Sequence, residues 1–367
     1  MNWYEVINIE EIDTPALFVF PDRIAANIEA ALSMVGDPGR LRPHIKTHKS
    51  KEAAQMMIDE GITKFKCATI AEAEILGSLN AQDVLLAYQP VGPKIKRFLR
   101  LQIQFPGTRF SCLVDNSQAA SALSDEALSS ESRIEVFLDI DTGMHRTGIE
   151  PEQAEDLFLF CIACKGLTVR GLHAYDGHIR DLDLNERQQK SDQAYDTVLK
   201  LKNKLSEHSG NTLNIICGGS PTFPTHAHRL NVECSPGTFI YWDKGYTDLY
   251  DGKSFKPAAV IATRVISISS KNTITCDLGH KSIAAENDLK HRIHFLNAND
   301  LIPVGQSEEH LVLQINPDQK FQIGDVLYGL PHHICPTVAL YEKVLPVISH
   351  KAVGEWRNIA RDRKITI

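Results

Sequence analysis

Apolar and polar positions alternate in two different ways along this chain. Over about the first 250 residues, short apolar runs alternate with longer stretches in which apolar residues recur at helical spacing. Such an alternation is typical of a parallel sheet with helices packed around it. Eight runs are predicted strands, at 16–20, 41–46, 64–69, 83–88, 109–115, 133–141, 167–175 and 213–219. Eight strand–helix units favour a (β/α)8 barrel, although an open sheet has the same pattern.

The pattern changes beyond about residue 250. Short strand-like runs, such as AAVIATRVISIS at 258–269 and GDVLYGL at 324–330, are separated by Gly, Asn, Asp and Pro, and helical spacing nearly disappears. This is typical of an antiparallel β domain, either a sandwich or a barrel. We therefore predict a barrel over residues 12–250 and a C-terminal antiparallel β domain over residues 251–367, joined by residues 1–11.

Composition narrows the class of partner. Lys and Arg total 39 against 46 Asp and Glu, a formal charge of -7, which argues against nucleic acid or an anionic membrane as the main partner. No apolar run approaches the length of a membrane span, and the N-terminus has acidic residues where a signal peptide has basic ones. These features predict a cytoplasmic protein. Cys161 and Cys164 form a CxxC inside an apolar helical stretch, so they are expected to be buried thiols.

A cluster of basic residues lies at the end of the second predicted strand. In LRPHIKTHKS, residues 41–50, five of ten residues are basic or histidine. Reactive groups of (β/α)8 barrels sit at the C-terminal ends of strands, and neighbouring cations lower the pKa of a lysine. A lysine of lowered pKa can bond covalently to a carbonyl compound, so the segment is a candidate catalytic site. A charged surface that faces solvent is the alternative.

Three motifs together resemble a known family. TPAL at 14–17, RPHIKTHK at 42–49 and ATIAEAEIL at 68–76 are similar to the D-threonine aldolase and D-serine dehydratase branch of the fold-type III, alanine-racemase-like pyridoxal-phosphate enzymes. The resemblance runs over nearly the whole chain. It implies that Lys46, and not Lys49, holds pyridoxal 5'-phosphate. It also implies a homodimer whose active sites lie between one barrel and the β domain of the partner.

The same resemblance assigns two further cofactor contacts. FLDIDTGMHRTG, at 137–148, is similar to the family segment whose arginine approaches the phenolic oxygen of the cofactor, which gives that role to Arg146. GLHAYDGHIR, at 171–180, ends the seventh predicted strand, so Tyr175 is expected to face the pyridine ring.

Glycine-containing loops are the candidates for the phosphate site. Barrels of this kind commonly bind phosphate through backbone amides of the loops after strands seven and eight. CGGSPTF follows the last predicted strand and supplies Gly219 and Ser220. ECSPGTFIYWD resembles the phosphate-binding element of the family and supplies Gly237 and Thr238. Phe239 stands where the family has a tyrosine, so no tyrosine role is assigned there.

A His-x-Cys pair near the C-terminus is the candidate metal site. His333 and Cys335, in YGLPHHICPTVALYE at 328–342, would point to the same side of an extended segment. In the family, PxHxC or PxHxD before a PTV-like tail marks the ligands of a divalent metal. Imidazole and thiolate favour zinc, with manganese or magnesium possible, and two protein ligands leave positions open for water and substrate. His332 adjoins the pair and stays a possible participant.

These assignments predict a lyase that depends on pyridoxal phosphate and a divalent metal and acts on D-3-hydroxy amino acids. Loss of the hydroxyl group would give a 2-oxo acid and ammonia, whereas cleavage between Cα and Cβ would give glycine and an aldehyde. Aspartate in place of Cys335 is more typical of the aldolases, so the cysteine favours a dehydratase of D-serine or D-threo-3-hydroxyaspartate. The alternatives are a D-threonine aldolase and an amino-acid racemase, which needs a second base and no metal.

Overall fold

The computed structural model describes residues 1–210, 212–250 and 255–367. These residues form two compact units. The first, called the barrel unit, consists of Ala31–Lys46, Ala54–Gly237 and Asp362–Ile367. The second, called the sheet unit, consists of Met1–Ala30, Thr47–Ala53 and Thr238–Arg361. The predicted boundary after residue 250 falls at the segment 251–254, outside the described residues.

Strands and helices alternate through the barrel unit, and strands dominate the sheet unit. The strands are β1 (Ala16–Val19), β2 (Lys64–Cys67), β3 (Asp83–Leu86), β4 (Arg109–Val114), β5 (Ile134–Ile140), β6 (Leu167–Ala174), β7 (Asn214–Cys217), β8 (Glu233–Cys234), β9 (Ala259–Ser270), β10 (Thr273–Cys276), β11 (Ile293–Phe295), β12 (Ile302–Gln306), β13 (Leu311–Gln314), β14 (Val326–Pro331), β15 (Lys343–Ile348), β16 (Lys351–Ala352) and β17 (Trp356–Arg357). The helices are α1 (Pro21–Val35), α2 (Lys51–Asp59), α3 (Ile70–Ser78), α4 (Pro93–Gln104), α5 (Ser117–Ser129), α6 (Ala154–Ala163), α7 (Leu184–Ser209), α8 (Phe223–Ala227), α9 (Lys244–Leu249) and α10 (Ile334–Leu340).

Seven parallel strands, in the order β2 to β8, form the sheet of the barrel unit. The extended segment at 41–44 takes the eighth position. Leu41 bridges Cys234 on β8 and His44 bridges Lys66 on β2, both in parallel. The two edges of the sheet therefore meet through this segment, and the predicted (β/α)8 barrel is confirmed.

The interior of the barrel is filled by two kinds of contact. Leu85, Leu113, Phe137 and Ile216, from four strands, form a buried apolar cluster. At the end where the strands begin, the fully buried Arg42 forms ion pairs of 2.7 Å with Asp83 and 2.6 Å with Glu233. Arg42 therefore ties the closing segment to β3 and β8. Of the basic cluster at 41–50, this arginine has a structural role.

The first predicted barrel strand belongs to the other sheet. In β1, Phe18 pairs with Val260 of the antiparallel β9 and with Leu345 of the parallel β15. All four residues of β1 are buried, so the strand has the same apolar pattern as a barrel strand, and only its partners distinguish the two. The first barrel strand is thus the segment at 41–44, and each later strand counts one position earlier. The predicted range 12–250 differs accordingly from the barrel unit, which lacks residues 12–30.

The sheet unit is largely antiparallel, as the sequence predicts for its C-terminal part. Its strands run in the order β12, β13, β10, β9, β1, β15 and β16, with β14 pairing with both β9 and β11, and β17 with β15. N-terminal residues complete the core, because Tyr4, Val6 and Phe18 pack with Val260 and Tyr328 in one buried cluster.

The expectation of buried thiols in the CxxC pair holds for one of its two cysteines. Cys161, on α6, is a buried free thiol, whereas Cys164, just beyond the helix, is free but only partly buried. Of the helices described, none has both the length and the apolarity needed to cross a membrane.

Candidate active site

A pocket in the barrel unit contains the lysine predicted to hold the cofactor. Lys46 follows the closing segment in a short 3-10 helix, Ile45–Thr47, and its backbone N–H donates to Nδ1 of His44 at 3.2 Å. The pocket is also lined by Arg146 and Tyr175. The structure therefore brings the three residues predicted for the cofactor ring to one place, at the C-terminal ends of the strands.

The ring of Tyr175 lies among cationic groups. Its centroid is 5.7 Å from Nζ of Lys46, 5.5 Å from Nζ of Lys66 and 5.1 Å from the guanidinium carbon of Arg146. These distances are within the range of cation–π attraction. Tyr175 directly follows β6, the sixth barrel strand and not the seventh, because of the corrected strand count. Positively charged groups around an aromatic face suit a planar, anionic cofactor.

The loop that carries Arg146 is held by a carboxylate. Oδ1 of Asp141 accepts the backbone N–H groups of Gly143, Met144 and His145 at 2.9–3.1 Å. Gly148 ends the loop with a φ of 104°, and a Cβ there would lie 2.7 Å from the backbone nitrogen of Asp141. A side chain cannot be placed there without moving the backbone. The glycines of DTGMHRTG thus give the loop the shape that presents Arg146.

A buried carboxylate–histidine pair forms one wall of the pocket. Nδ1 of His173 lies 2.7 Å from Oδ1 of Asp139, and Nε2 of Gln89 donates to the other oxygen at 3.0 Å. Burial opposes the ionisation of Asp139, but hydrogen bonds, first that from His173, outweigh it and hold its pKa below the usual value. Burial also lowers the pKa of His173. A neutral His173 next to an ionised Asp139 carries its proton on Nδ1.

This pair provides a test of whether the pocket suits a cofactor. Nε2 of His173 is buried and has no hydrogen-bond partner in the part of the chain that the structure describes. A buried polar atom without a partner is destabilising unless a ligand or water satisfies it. Because His173 lines the pocket, the lone pair on Nε2 is available to a ligand there. The residues present therefore fit a polar, ring-shaped cofactor.

The loops predicted to bind phosphate follow the seventh and eighth barrel strands. Gly219 and Ser220 come after β7, and Gly237 comes after β8, which is the usual arrangement of such sites. The two loops meet, since the backbone N–H of Gly237 donates to Oγ of Ser220 at 3.4 Å. A Cβ on Gly219 would lie 2.7 Å from the Tyr175 ring, so only glycine fits against that ring. Thr238, the next residue in the chain, begins the 3-10 helix Thr238–Ile240 of the sheet unit.

A buried polar network supports the first of these loops. Oγ1 of Thr222 donates to Asp176 at 2.7 Å, and Nε2 of His226 lies 2.8 Å from the same carboxylate. His226 packs against Gly218. The φ of Gly218 is 80°, and a Cβ at that position would overlap the imidazole of His226. The positions of Gly219 and Ser220 are thus set by residues that do not themselves line the pocket.

The predicted metal ligands lie together in the sheet unit. His333 immediately precedes α10 and Cys335 lies in its first turn, so the segment is not extended as the sequence analysis assumed. The two side chains nevertheless meet, because the thiol is a hydrogen-bond partner of the imidazole. Burial would lower the pKa of His333, but Cys335, Asp243 and Glu286 outweigh it and raise that pKa to about 9.

Neighbouring groups fix the orientation of both predicted ligands. Nδ1 of His333 lies 2.5 Å from a carboxylate oxygen of Glu286, which leaves Nε2 as the ring atom able to bind a metal. Sγ of Cys335 lies 3.2 Å from Oγ1 of Thr47 and 3.6 Å from that of Thr238. The described residues contain no group of three or more His, Cys, Asp or Glu side chains arranged to hold a metal ion. The donor set that fits a metal is the oriented His–Cys pair.

Sequence reasoning missed several residues of these sites. Lys66 was not predicted, although it occupies the same face of β2 as Lys64 and could have been found by strand alternation. Asp139 lies within a motif that was used only for its arginine. Glu286 is 47 positions from His333, and no sequence pattern connects the two.

Comparison with known proteins agrees with this geometry. Residues 19–244 match the family "Alanine racemase, N-terminal domain", and residues 258–347 match a "Putative serine dehydratase domain". The first match covers more than half of the chain. The chain belongs to the alanine racemase N-terminal domain family. The predicted branch of the fold-type III pyridoxal-phosphate enzymes is thereby confirmed, and with it the class of pyridoxal-phosphate-dependent lyase.

Individual members of this family include both aldolases and dehydratases. A 3-hydroxy-D-aspartate aldolase of Paracoccus denitrificans is 26% identical over 368 residues, covering 96% of this chain and 93% of the relative. The crystal structure of a D-threonine aldolase from Filomicrobium marinum has a TM-score of 0.87 at 24% identity and covers 96% of each chain. A D-threo-3-hydroxyaspartate dehydratase, solved as a cysteine-to-alanine mutant in the metal-free form, has a TM-score of 0.82 at 22% identity, covering 95% of this chain and 97% of that one.

Proposed function

We propose that this protein is a lyase of D-3-hydroxy amino acids that depends on pyridoxal phosphate and a divalent metal, and that its reaction is dehydration. The observation that carries the proposal is the pair His333 and Cys335, oriented by Glu286 and neighbouring threonines, in a chain whose barrel pocket contains Lys46. D-Serine and D-threo-3-hydroxyaspartate are the proposed substrates.

In this proposal each contact to the cofactor falls to a different residue. Lys46 would hold it covalently, Arg146 would contact its phenolic oxygen, and Tyr175 would face its ring. Gly219, Ser220, Gly237 and Thr238 would hold its phosphate. When bound, pyridoxal phosphate supplies an electron sink for the α-carbon of an amino acid.

The proton transfers fall to the residues of the chain. Lys46 would hold the cofactor, and its amine would be the base that moves the α-proton of the substrate. Asp139 and His173 keep a neutral imidazole at the pocket wall, where Nε2 accepts a hydrogen bond without adding positive charge. The guanidinium of Arg146, which lines the same pocket, would balance negative charge on the phenolic oxygen of the cofactor.

His333 and Cys335 are the proposed ligands of the metal. An imidazole nitrogen together with a thiolate favours zinc over magnesium by ligand softness. A zinc ion at this pair would supply Lewis-acid chemistry to an oxygen atom of the substrate. The metal-free form of a related dehydratase supports metal binding in this family.

A prediction about metal affinity follows from the contact between Glu286 and His333. The Glu286→Ala variant is expected to bind zinc about 10- to 100-fold more weakly, because the carboxylate no longer orients the imidazole or raises its basicity. Titration against a chromophoric chelator measures the affinity directly. Glu309→Ala, which removes an exposed carboxylate paired with Lys281, is the matched control and should bind like the wild type. An unchanged affinity in Glu286→Ala would contradict this role for the carboxylate.

Retro-aldol cleavage is the second candidate reaction, and the aldolases among the relatives favour it. Both reactions use the same residues, so the products must decide. The purified protein is incubated with D-serine, D-threonine and D-threo-3-hydroxyaspartate in the presence of zinc or manganese, and 2-oxo acid and glycine are assayed separately. A 2-oxo acid that disappears with EDTA is the expected result. Glycine with an aldehyde would make the protein an aldolase, and turnover that survives EDTA would favour a racemase-like site.

We also propose that the protein works in the cytoplasm as a homodimer. The cysteines of the described residues form no disulfide, which supports a reducing compartment. Ile266 and Ile268 on β9, with Ile302 and Val304 on β12, are 42–51% exposed on strands of one sheet, which supports an apolar contact with a second copy. Light scattering should give the dimer mass at working concentration, and a monomer would contradict the proposal.

A further inference from the structure

A second lysine, Lys66, lies in the cofactor pocket. It is only 2% exposed, yet its side chain lines the same cavity as Lys46. Within the described residues, no hydrogen bond or ion pair holds its amine. The centroid of the Tyr175 ring lies 5.5 Å from Nζ of Lys66 and 5.7 Å from Nζ of Lys46. Buried lysines are rare unless they are paired, so this amine is unusual.

The strand itself explains why Lys66 is inside the barrel. Successive side chains of β2 alternate between its two faces, which places Lys64 and Lys66 on one face and Phe65 and Cys67 on the other. Lys64, nearer the start of the strand, is paired with Glu233 at 2.5 Å. Lys66 lies one layer further along, toward the pocket. The two lysines thus share a face of the strand but differ in that only one has a carboxylate partner.

The carboxylates near Lys66 are engaged by other residues. Asp139 bonds His173 and Gln89, and Asp176 bonds Thr222 and His226. The titratable groups that face Lys66 are Lys46, Asp139, His173, Asp176 and Cys217. Burial, followed by the charge of Lys46, lowers the pKa of Lys66 to about 7, while Asp139, Asp176 and Cys217 act in the opposite direction. Near neutral pH, Lys66 is therefore present partly as an uncharged amine.

Lys46 needs a proton acceptor at a defined moment. An ammonium group cannot attack a carbonyl carbon, so a lysine must be in its amine form to bond to an aldehyde. Before its nitrogen bonds to the aldehyde carbon of the cofactor and releases water, Lys46 must lose one proton. The cavity that both lysines line has a volume of about 50 Å³, enough for water to bridge them.

We propose that Lys66 is a positioning residue that acts through Lys46, accepting its proton so that Lys46 can bond to the cofactor. The transfer converts one ammonium and one amine into one amine and one ammonium, so no further reactant is needed. This inference rests on the proposed cofactor role of Lys46, but it does not depend on which lyase reaction follows.

The test follows cofactor attachment and not turnover. Cofactor-free protein is mixed with pyridoxal phosphate, and the rate at which the visible absorption band of the attached cofactor appears is measured across pH. In the wild type, this rate should rise with a midpoint near 7, where Lys66 loses its proton. In Lys66→Met the midpoint near 7 should disappear, because the amine that titrates there is gone. At neutral pH, attachment should be at least about 100-fold slower, the lower end of what a positioned acid–base group contributes.

Two further variants and one check make the result specific. Lys66→Arg keeps the charge but cannot release a proton, so it should be as slow as Lys66→Met; wild-type rates in Lys66→Arg would overturn the proposal. Lys64→Met, on the same face of β2, should attach the cofactor like the wild type. Thermal unfolding should show that Lys66→Met is folded, since replacing a buried charge by an apolar side chain is often stabilising. If Lys66→Met attaches the cofactor at the wild-type rate, the inference fails while the lyase proposal stands, because that proposal is judged by its products.

Discussion

The Lys46→Ala variant is expected to lose the visible absorption band of the attached cofactor and to lose activity by on the order of 10⁴-fold or more, the upper end of what a positioned acid–base group contributes. Lys46 has two roles in the proposal, as the point of covalent attachment and as the base for the α-proton. Removing its amine therefore removes both at once. Activity is measured as 2-oxo acid released from D-serine, and attachment is measured by absorbance after gel filtration.

A matched lysine controls for the loss of charge in this segment. Lys51 is exposed in the first turn of α2, five residues beyond Lys46, and it does not line the pocket. Lys51→Ala should keep both the absorption band and the activity. If Lys46→Ala retained the band through gel filtration, the cofactor would be attached elsewhere, and the assignment of Lys46 would be wrong.

The second large effect is expected at the metal pair. His333→Ala and Cys335→Ala should each lower dehydration by about 10³-fold, which corresponds to the roughly 4 kcal/mol that Lewis-acid stabilisation of transition-state charge supplies. Both variants should keep the visible absorption band, because neither residue belongs to the barrel pocket. The measurement is 2-oxo acid formation at saturating zinc, together with the zinc content of each purified variant.

A variant of the neighbouring His332 is the control for the loss of an imidazole that does not bind the metal. His332 packs edge-to-face against His291, with ring centroids 5.5 Å apart, and its backbone carbonyl accepts the N–H of Gly245. His332→Ala should therefore retain zinc and activity. Loss of zinc in His332→Ala, with retention in His333→Ala, would exchange the roles of the two histidines.

The architecture could be predicted from the sequence because both periodicities are strong, but the position of β1 could not. A strand that is buried on both faces has the same apolar pattern in a barrel and in a mixed sheet, and only the distant partners Val260 and Leu345 reveal which it is. The resulting shift by one strand affected the interpretation of the phosphate loops. With the corrected count, Gly219 and Gly237 follow strands seven and eight, where such loops commonly bind phosphate.

Local motifs indicated the candidate site better than they indicated its supports. Lys46, Arg146 and Tyr175 lie in recognisable segments, and the structure brings all three to one pocket. Groups that act by long-range contact carry no local signal. Glu286 reaches His333 across 47 positions, and the basic character of Arg42 gave no hint that it is a buried ion-pair partner of the barrel interior.

Reduction followed by mass mapping identifies the residue to which pyridoxal phosphate is attached. The cofactor-loaded protein is treated with borohydride, digested, and analysed by tandem mass spectrometry. We expect the phosphopyridoxyl mass on Lys46. The same mass on Lys66 or Lys49, with Lys46 unmodified, would contradict it.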